Sequence, residues 1–223
     1  AVVSVPQTIE DPIESAAINE MGSLSVFETA RERKVQRVVF SSSCAVYGDD
    51  PRLPKLEDMA PNPLSPYAVQ KLAAEYYAQM FYDLHGLETA VLRYFNLYGP
   101  RQDPSSPYSG VISIFMTKAL LNEPAVIFGD GNQSRDFIYV QDVVRANLLA
   151  ATRQGAGGQV INIGSGKSVA INQLWEKICA LSGQNLEPEY APRRPGDIVE
   201  SVAGIESAGA QLGFECEIPF EKG

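Results

Sequence analysis

One stretch of this chain leaves the fold little freedom. Residues 35–43, VQRVVFSSS, form a continuous apolar, β-branched run that ends in three serines. Residues 65–85 then read as one long helix opened by Ser65-Pro66, and residues 88–95, ETAVLRYF, are a second apolar run. Strands that are apolar throughout, and not in alternation, belong to parallel sheets covered on both faces, and a helix between them supplies the crossover. The alternation continues in both directions. Upstream, Ile13, Ala16, Ala17, Met21, Leu24 and Phe27 recur at spacings of mostly three to four, which predicts a single helix over 11–34 with Pro12 in its first turn. Downstream, helices are expected at 111–122, 140–152, 171–183 and 205–212, and strands at 125–128, 159–164 and 186–191. Residues 1–6, AVVSVP, read as the end of a strand. This order predicts an α/β fold with a doubly wound parallel sheet and a smaller, loop-rich C-terminal lobe.

Composition sets limits on partners. With 45% hydrophobic and 20% charged residues the chain is an ordinary globular one. Lys+Arg 18 against Asp+Glu 27, a net charge of -9, leaves no broad electropositive surface for nucleic acid or an anionic membrane. No apolar run approaches the ~20 residues of a membrane span, so a soluble, cytoplasmic protein is expected. Cys44, Cys179 and Cys216 are widely spaced without a CxxC and read as reduced thiols, and no His, Cys and carboxylate cluster has metal-ligand spacing. His85, in LHG at a helix end, is expected to bond free carbonyls there.

The chemistry concentrates on SPYAVQK. Tyr67 and Lys71 stand four apart, on one helix face. An ammonium beside a phenol stabilises phenolate and is expected to lower its pKa, giving a general base usable near neutrality. SSSCAVYG, residues 41–48, ends the preceding strand, where ligands of parallel sheets bind. A serine hydroxyl there can hydrogen-bond a substrate oxygen while the tyrosine takes its proton. GSGKS, residues 164–168, is half of a phosphate loop, but Ile161 stands where that motif needs glycine.

Five ordered motifs, SSSCAVYG, SPYAVQK, LRYFNLYGPRQ, RDFIYVQD and RRPGD, resemble the extended short-chain dehydrogenase/reductase family. SVPQTIEDP and the Gln102-containing PRQDP are similar to its nucleotide-sugar 4-epimerases, particularly those acting on UDP-N-acetylglucosamine. The resemblance implies a Rossmann-like sheet, bound NAD, a UDP-sugar substrate inverted at C4 through a 4-keto intermediate, and a homodimer formed by the helices at 11–34 and 66–85. It implies Ser43, Tyr67 and Lys71 as catalytic residues, with Ser41, Ser42, Tyr67, Lys71 and Tyr94 on the cofactor. It implies Ser43, Asn96, Gln102, Val111, Phe128, Arg135, Arg194, Asp197 and Ser201 on the substrate. Phe128 would face uracil, and Arg135 and Arg194 the diphosphate. Asp197 would face a ribose, and Ser201 the sugar C2 substituent. Residues 1–100 would be the remaining part of the NAD-binding domain, and 101–223 mainly the substrate lobe, with 129–165 returning to the sheet.

One departure is large. The eighteen glycines contain no GxxGxxG, the turn that lets backbone approach pyrophosphate at a helix N-terminus. The chain is therefore expected to be an N-terminally truncated epimerase, neither binding NAD stoichiometrically nor epimerising by itself. Two alternatives stand beside it. A nucleotide-sugar 4,6-dehydratase would need an adjacent Asp-Glu pair where Cys44 and Ala45 stand, and a truncated chain could act as a non-catalytic binding or interaction domain.

Overall fold

A computed structural model describes residues 1–103, 110–193 and 198–223. Helix α1 (Val5–Glu10) comes first, capped by Ser4, whose Oγ accepts from the Gln7 amide at 3.0 Å. The strand end expected at residues 1–6 is thus corrected: a serine cap followed by proline in the first turn starts a helix. Helix α2 (Pro12–Ala16), a π-helical turn at Ala17–Met21 and α3 (Gly22–Glu32) follow without a break, where one regular helix was expected. Then come β1 (Arg37–Ser43), a 3-10 turn at Cys44–Tyr47, α4 (Pro66–His85), β2 (Glu88–Tyr94) and β3 (Asn96–Tyr98). The second half contains α5 (Val111–Leu120), β4 (Val126–Phe128), β5 (Ser134–Tyr139), α6 (Val140–Thr152) and β6 (Gln159–Ile163). It closes with β7 (Ser168–Ala170), α7 (Ile171–Ser182), β8 (Glu189–Ala191), β9 (Glu200–Ser201) and α8 (Glu206–Leu212).

Strands β1, β2 and β6 form a parallel sheet in that order, with Arg37 opposite Glu88 and Ser43 opposite Tyr94. Alternate side chains serve opposite faces. Val39, Leu92, Ile161 and Ile163 pack with Val143, Ala146 and Ala150 of α6 and Ala208 and Leu212 of α8. Val38, Phe40, Val91 and Val160 pack with Phe27 of α3 and Ala78 and Phe81 of α4. Helices therefore cover both faces, the doubly wound arrangement.

The second half departs from a uniform parallel sheet. Strand β5 pairs parallel with β3 and β9 but antiparallel with β7, and β4 pairs only with β8. Residues 129–165 return to the main sheet through β6, with α6 on its face, while β5 belongs to the second sheet. Arg135 and Asp136 interrupt its apolar pattern, which hid β5 from a periodicity reading. Phe115 of α5 and Trp175 of α7 meet edge to face, with centroids 5.4 Å apart, in the core of this half. No described helix is long and apolar enough to cross a membrane.

Candidate active site

The site lies at the carboxyl ends of β1 and β2, facing the first turns of α4. Ser65 caps α4 by accepting from the Ala68 amide at 3.2 Å, and Pro66 occupies its first turn. The Tyr67 amide donates to Thr8 Oγ1 at 3.2 Å, so α1 holds the start of α4 in place. Ser43 ends β1 with its Oγ accepting from the Ala45 amide at 3.2 Å, and it stands close enough to the Tyr67 phenol to influence that group's pKa. Lys71 Nζ donates to the Ser41 carbonyl at 2.8 Å and lies 5.8 Å from the Tyr67 ring centre. Residues of two separate motifs, Ser43 from one and Tyr67 and Lys71 from the other, thus stand together.

The electrostatics correct one expectation. Burial pushes the Tyr67 phenol above its ordinary value, and the neighbouring Ser43 hydroxyl opposes this only in part. Lys71, whose own pKa burial lowers, is engaged with the Ser41 carbonyl and does not reverse the shift at Tyr67.

The cofactor candidates divide by the pleat of β1. Ser41 is exposed, and its hydroxyl lies 3.2 Å from the Tyr94 phenol, which donates to Asn147 Oδ1 at 2.8 Å. Ser42 is buried and its hydroxyl donates to Glu75, beneath the site. The expectation that Ser42 touches the cofactor is therefore corrected, since adjacent strand residues point to opposite faces.

The substrate candidates gather in the second half. Asn96, Val111, Phe128 and Arg135 line one cavity of about 370 Å³ together with Phe115, Lys118 and Gln133, whose Nε2 donates to the Phe128 carbonyl at 2.7 Å. Ser201 is buried on β9, in register with Arg135, and lies near the Cys44 side chain next to Ser43. Gln102 does not join them. It lines a separate, largely apolar cavity of about 490 Å³ with Ile112, Leu174 and Phe220, because the left-handed backbone of Arg101, φ 69°, turns the chain to another side of α5. Arg194 and Asp197 lie outside the described residues.

The amides of GSGKS have an internal anion. Asp136 accepts from the Ser165 amide and hydroxyl at 2.7 Å, and from the Gly166 and Ala203 amides at 3.0 Å. That carboxylate occupies donors a phosphate would require. Burial, with Asp136 second, pushes the Cys44 thiol up to about 11, so it holds its proton at neutrality.

Sequence reasoning missed Asn147, which orients Tyr94, and the charged pair Glu75–Arg93 below the site. A charged residue within the apolar run of β2, and a glutamate four beyond Lys71, were the available signals.

The chain is matched over residues 1–164 by the model of the NAD dependent epimerase/dehydratase family. It is 40% identical to a putative UDP-glucose 4-epimerase of Methanocaldococcus jannaschii, covering 100% of this chain and 72% of that protein. Two solved structures are similar. One is UDP-N-acetylglucosamine 4-epimerase from Methanobrevibacter ruminantium in complex with UDP-N-acetylmuramic acid. Its TM-score is 0.93 and its identity 42%, over 97% of this chain and 69% of that one. The other is UDP-glucose 4-epimerase from Thermotoga maritima with UDP-glucose, with a TM-score of 0.96 and 39% identity over 100% and 72%. Ordered motifs, a doubly wound sheet and a serine, tyrosine and lysine meeting at its strand ends agree with these matches: the chain belongs to the NAD-dependent epimerase/dehydratase family.

Proposed function

We propose that the full-length protein inverts C4 of a UDP-hexose, either UDP-N-acetylglucosamine/UDP-N-acetylgalactosamine, UDP-glucose/UDP-galactose, or both. One observation carries the reading: Tyr67 stands beside Ser43 at the end of β1, with Lys71 one turn along α4, 5.8 Å from the Tyr67 ring centre and donating to the Ser41 carbonyl at 2.8 Å. In this reading Ser43 hydrogen-bonds the C4 oxygen and Tyr67 accepts its proton. Burial raises Tyr67, so phenolate needs a cation beside it, and Lys71 is the cation on the same helix face. Ser41, Tyr94 and Lys71 offer hydroxyls and an ammonium at the strand ends, a donor set that suits a ribose and a carboxamide. NAD held by Ser41, Tyr94 and Lys71 would supply reversible hydride transfer at C4. Asn96, Val111, Phe128 and Arg135 would hold the nucleotide, the arginine fork pairing phosphate oxygens. The small side chain of Ser201 leaves space beside the sugar C2 and favours the N-acetylated pair. The dehydratase alternative suffers because Cys44 keeps its proton and Ala45 has none to give.

The test is to incubate the full-length protein with each UDP-sugar and follow C4 inversion by proton NMR. Inversion of neither pair would overturn the proposal. A cytoplasmic homodimer belongs to the same reading, supported by three free cysteines and by Ile13, Met21, Val69 and Tyr76, which are apolar and exposed on α2, the π-turn and α4. The 223-residue polypeptide by itself has no GxxGxxG and is proposed to be inactive, with NAD binding weaker than ~10 micromolar, or roughly 7 kcal/mol, by calorimetry. Tighter binding would remove the inactive-domain alternative.

A further inference from the structure

Three successive residues of β1 each meet a different turn of α4. Lys71 donates to the Ser41 carbonyl, Ser42 donates to Glu75, and Ser43 stands beside Tyr67. Tyr67, Lys71 and Glu75 are spaced four apart and form one row along the helix. The outer two contacts involve the reacting groups, while the middle one is buried and reaches no ligand.

The middle bond is anchored from behind. Glu75 is 3% exposed and takes both nitrogens of the Arg93 fork, Nε at 3.0 and 3.2 Å and Nη2 at 2.6 Å. Arg93 Nη1 donates to the Tyr47 hydroxyl at 2.9 Å, and Tyr47 donates to Asn162 Oδ1 at 2.7 Å. The Asn162 amide donates to Glu57 at 2.8 Å and its Nδ2 to the Lys55 carbonyl at 2.8 Å. The chain of bonds therefore joins α4, β1, β2, β6 and the 3-10 turn. A buried ion pair of this kind contributes little net stability over well-packed apolar residues, so registration is the better account of what it does.

We propose that Glu75, held by Arg93, is a positioning residue for the reaction: it fixes Ser42, and so sets Ser41 and Ser43 against Lys71 and Tyr67. The inference rests on the reading of Tyr67 as the proton acceptor. Two variants of the full-length protein test it. Ser42→Ala removes the middle bond and leaves the ion pair, and Glu75→Gln keeps an acceptor for Ser42 but removes the charge that holds Arg93. Both are expected to lower kcat about tenfold with the KM for UDP-sugar within about twofold, the loss expected when a hydrogen bond of roughly 1.4 kcal/mol no longer holds the geometry. Ser42→Thr, which keeps a hydroxyl, should restore most of it.

The second readout does not need turnover. NMR of ring-labelled tyrosine, with the Tyr67 signal assigned by its loss in Tyr67→Phe, should show Tyr67 titrating at higher pH in Ser42→Ala, because the Ser43 hydroxyl that lowers its pKa is no longer held beside it. If the protein proves not to epimerise, this titration still decides the positioning claim. An unmoved Tyr67 titration together with unchanged kcat would overturn it and leave a purely structural ion pair. Should Glu75→Gln not fold, Ser42→Ala and its threonine rescue carry the test alone.

Discussion

The two halves of the site are built by different means. The half that holds Ser43, Tyr67 and Lys71 rests on two strands of 7 residues in unbroken register and a helix of 20 residues, tied together by a buried ion pair. The half that forms the nucleotide-sized cavity rests on strands of 2 to 6 residues, with walls from α5, β4 and the start of α7. Proton transfer works only within hydrogen-bond reach, so its groups need a stiff frame. A cavity that grips a nucleotide by several dispersed contacts tolerates a wall of short segments. The contrast is that the long elements and the buried ion pair lie beneath Ser43, Tyr67 and Lys71, while short segments wall the cavity.

The largest effect should come from breaking the frame. Arg93→Leu leaves the Glu75 carboxylate buried without its partner and should cost about 3 to 5 kcal/mol in urea unfolding. Lys118→Met on the cavity wall removes only an exposed pair with Glu123, a loss of under about 1 kcal/mol. Equal losses would erase the distinction between the halves. Next in size, Tyr67→Phe should lower turnover of the full-length protein by at least ~10² and leave UDP-sugar affinity nearly intact, because only the proton acceptor is removed. Retention of most of the turnover would show that the base lies elsewhere.

Ser201→Tyr probes the join between the halves, since Ser201 pairs with the strand of Arg135 and lies near Cys44. Filling that space should cost ~1 to 3 kcal/mol, or about one to two decades in kcat/KM, for the N-acetylated sugar alone. A ratio of kcat/KM values for the two sugars that stays constant would remove Ser201 as the gatekeeper. The last effect is alkaline. Burial pushes Tyr47 up to about 12, above its unfolded value near 10, so its contribution is full below pH ~10 and is lost as pH rises toward 12, by about 1.4 kcal/mol per pH unit. Tyr47→Phe should flatten that part of the urea midpoint against pH, and an unaltered slope would place the alkaline loss in other groups.

Length governed only part of how far the sequence reached: β4 and β8, of 3 residues each, were expected as strands, whereas β5, of 6, was hidden by its charged residues. Helix α4 and strands β1 and β2 were legible because apolar runs and a helix of 20 residues carry many residues that all report the same face. Strands β3, β7 and β9 were not, because 2 or 3 residues give no period, and their pairing with β5 is a contact between distant segments. The same limit applied to the site. Tyr67 and Lys71 could be paired from their spacing on one helix. That Ser42 turns away from Ser41 and Ser43, that Gln102 lines another cavity, and that Asp136 fills the GSGKS loop depended on pleat, turn and packing. By itself the sequence determined the crossover, the helix face that Tyr67 and Lys71 share, and the family. Only the tertiary structure decided which polar groups meet across it, because a buried donor takes whichever acceptor the packing brings within about 3 Å, and sequence distance says nothing about that.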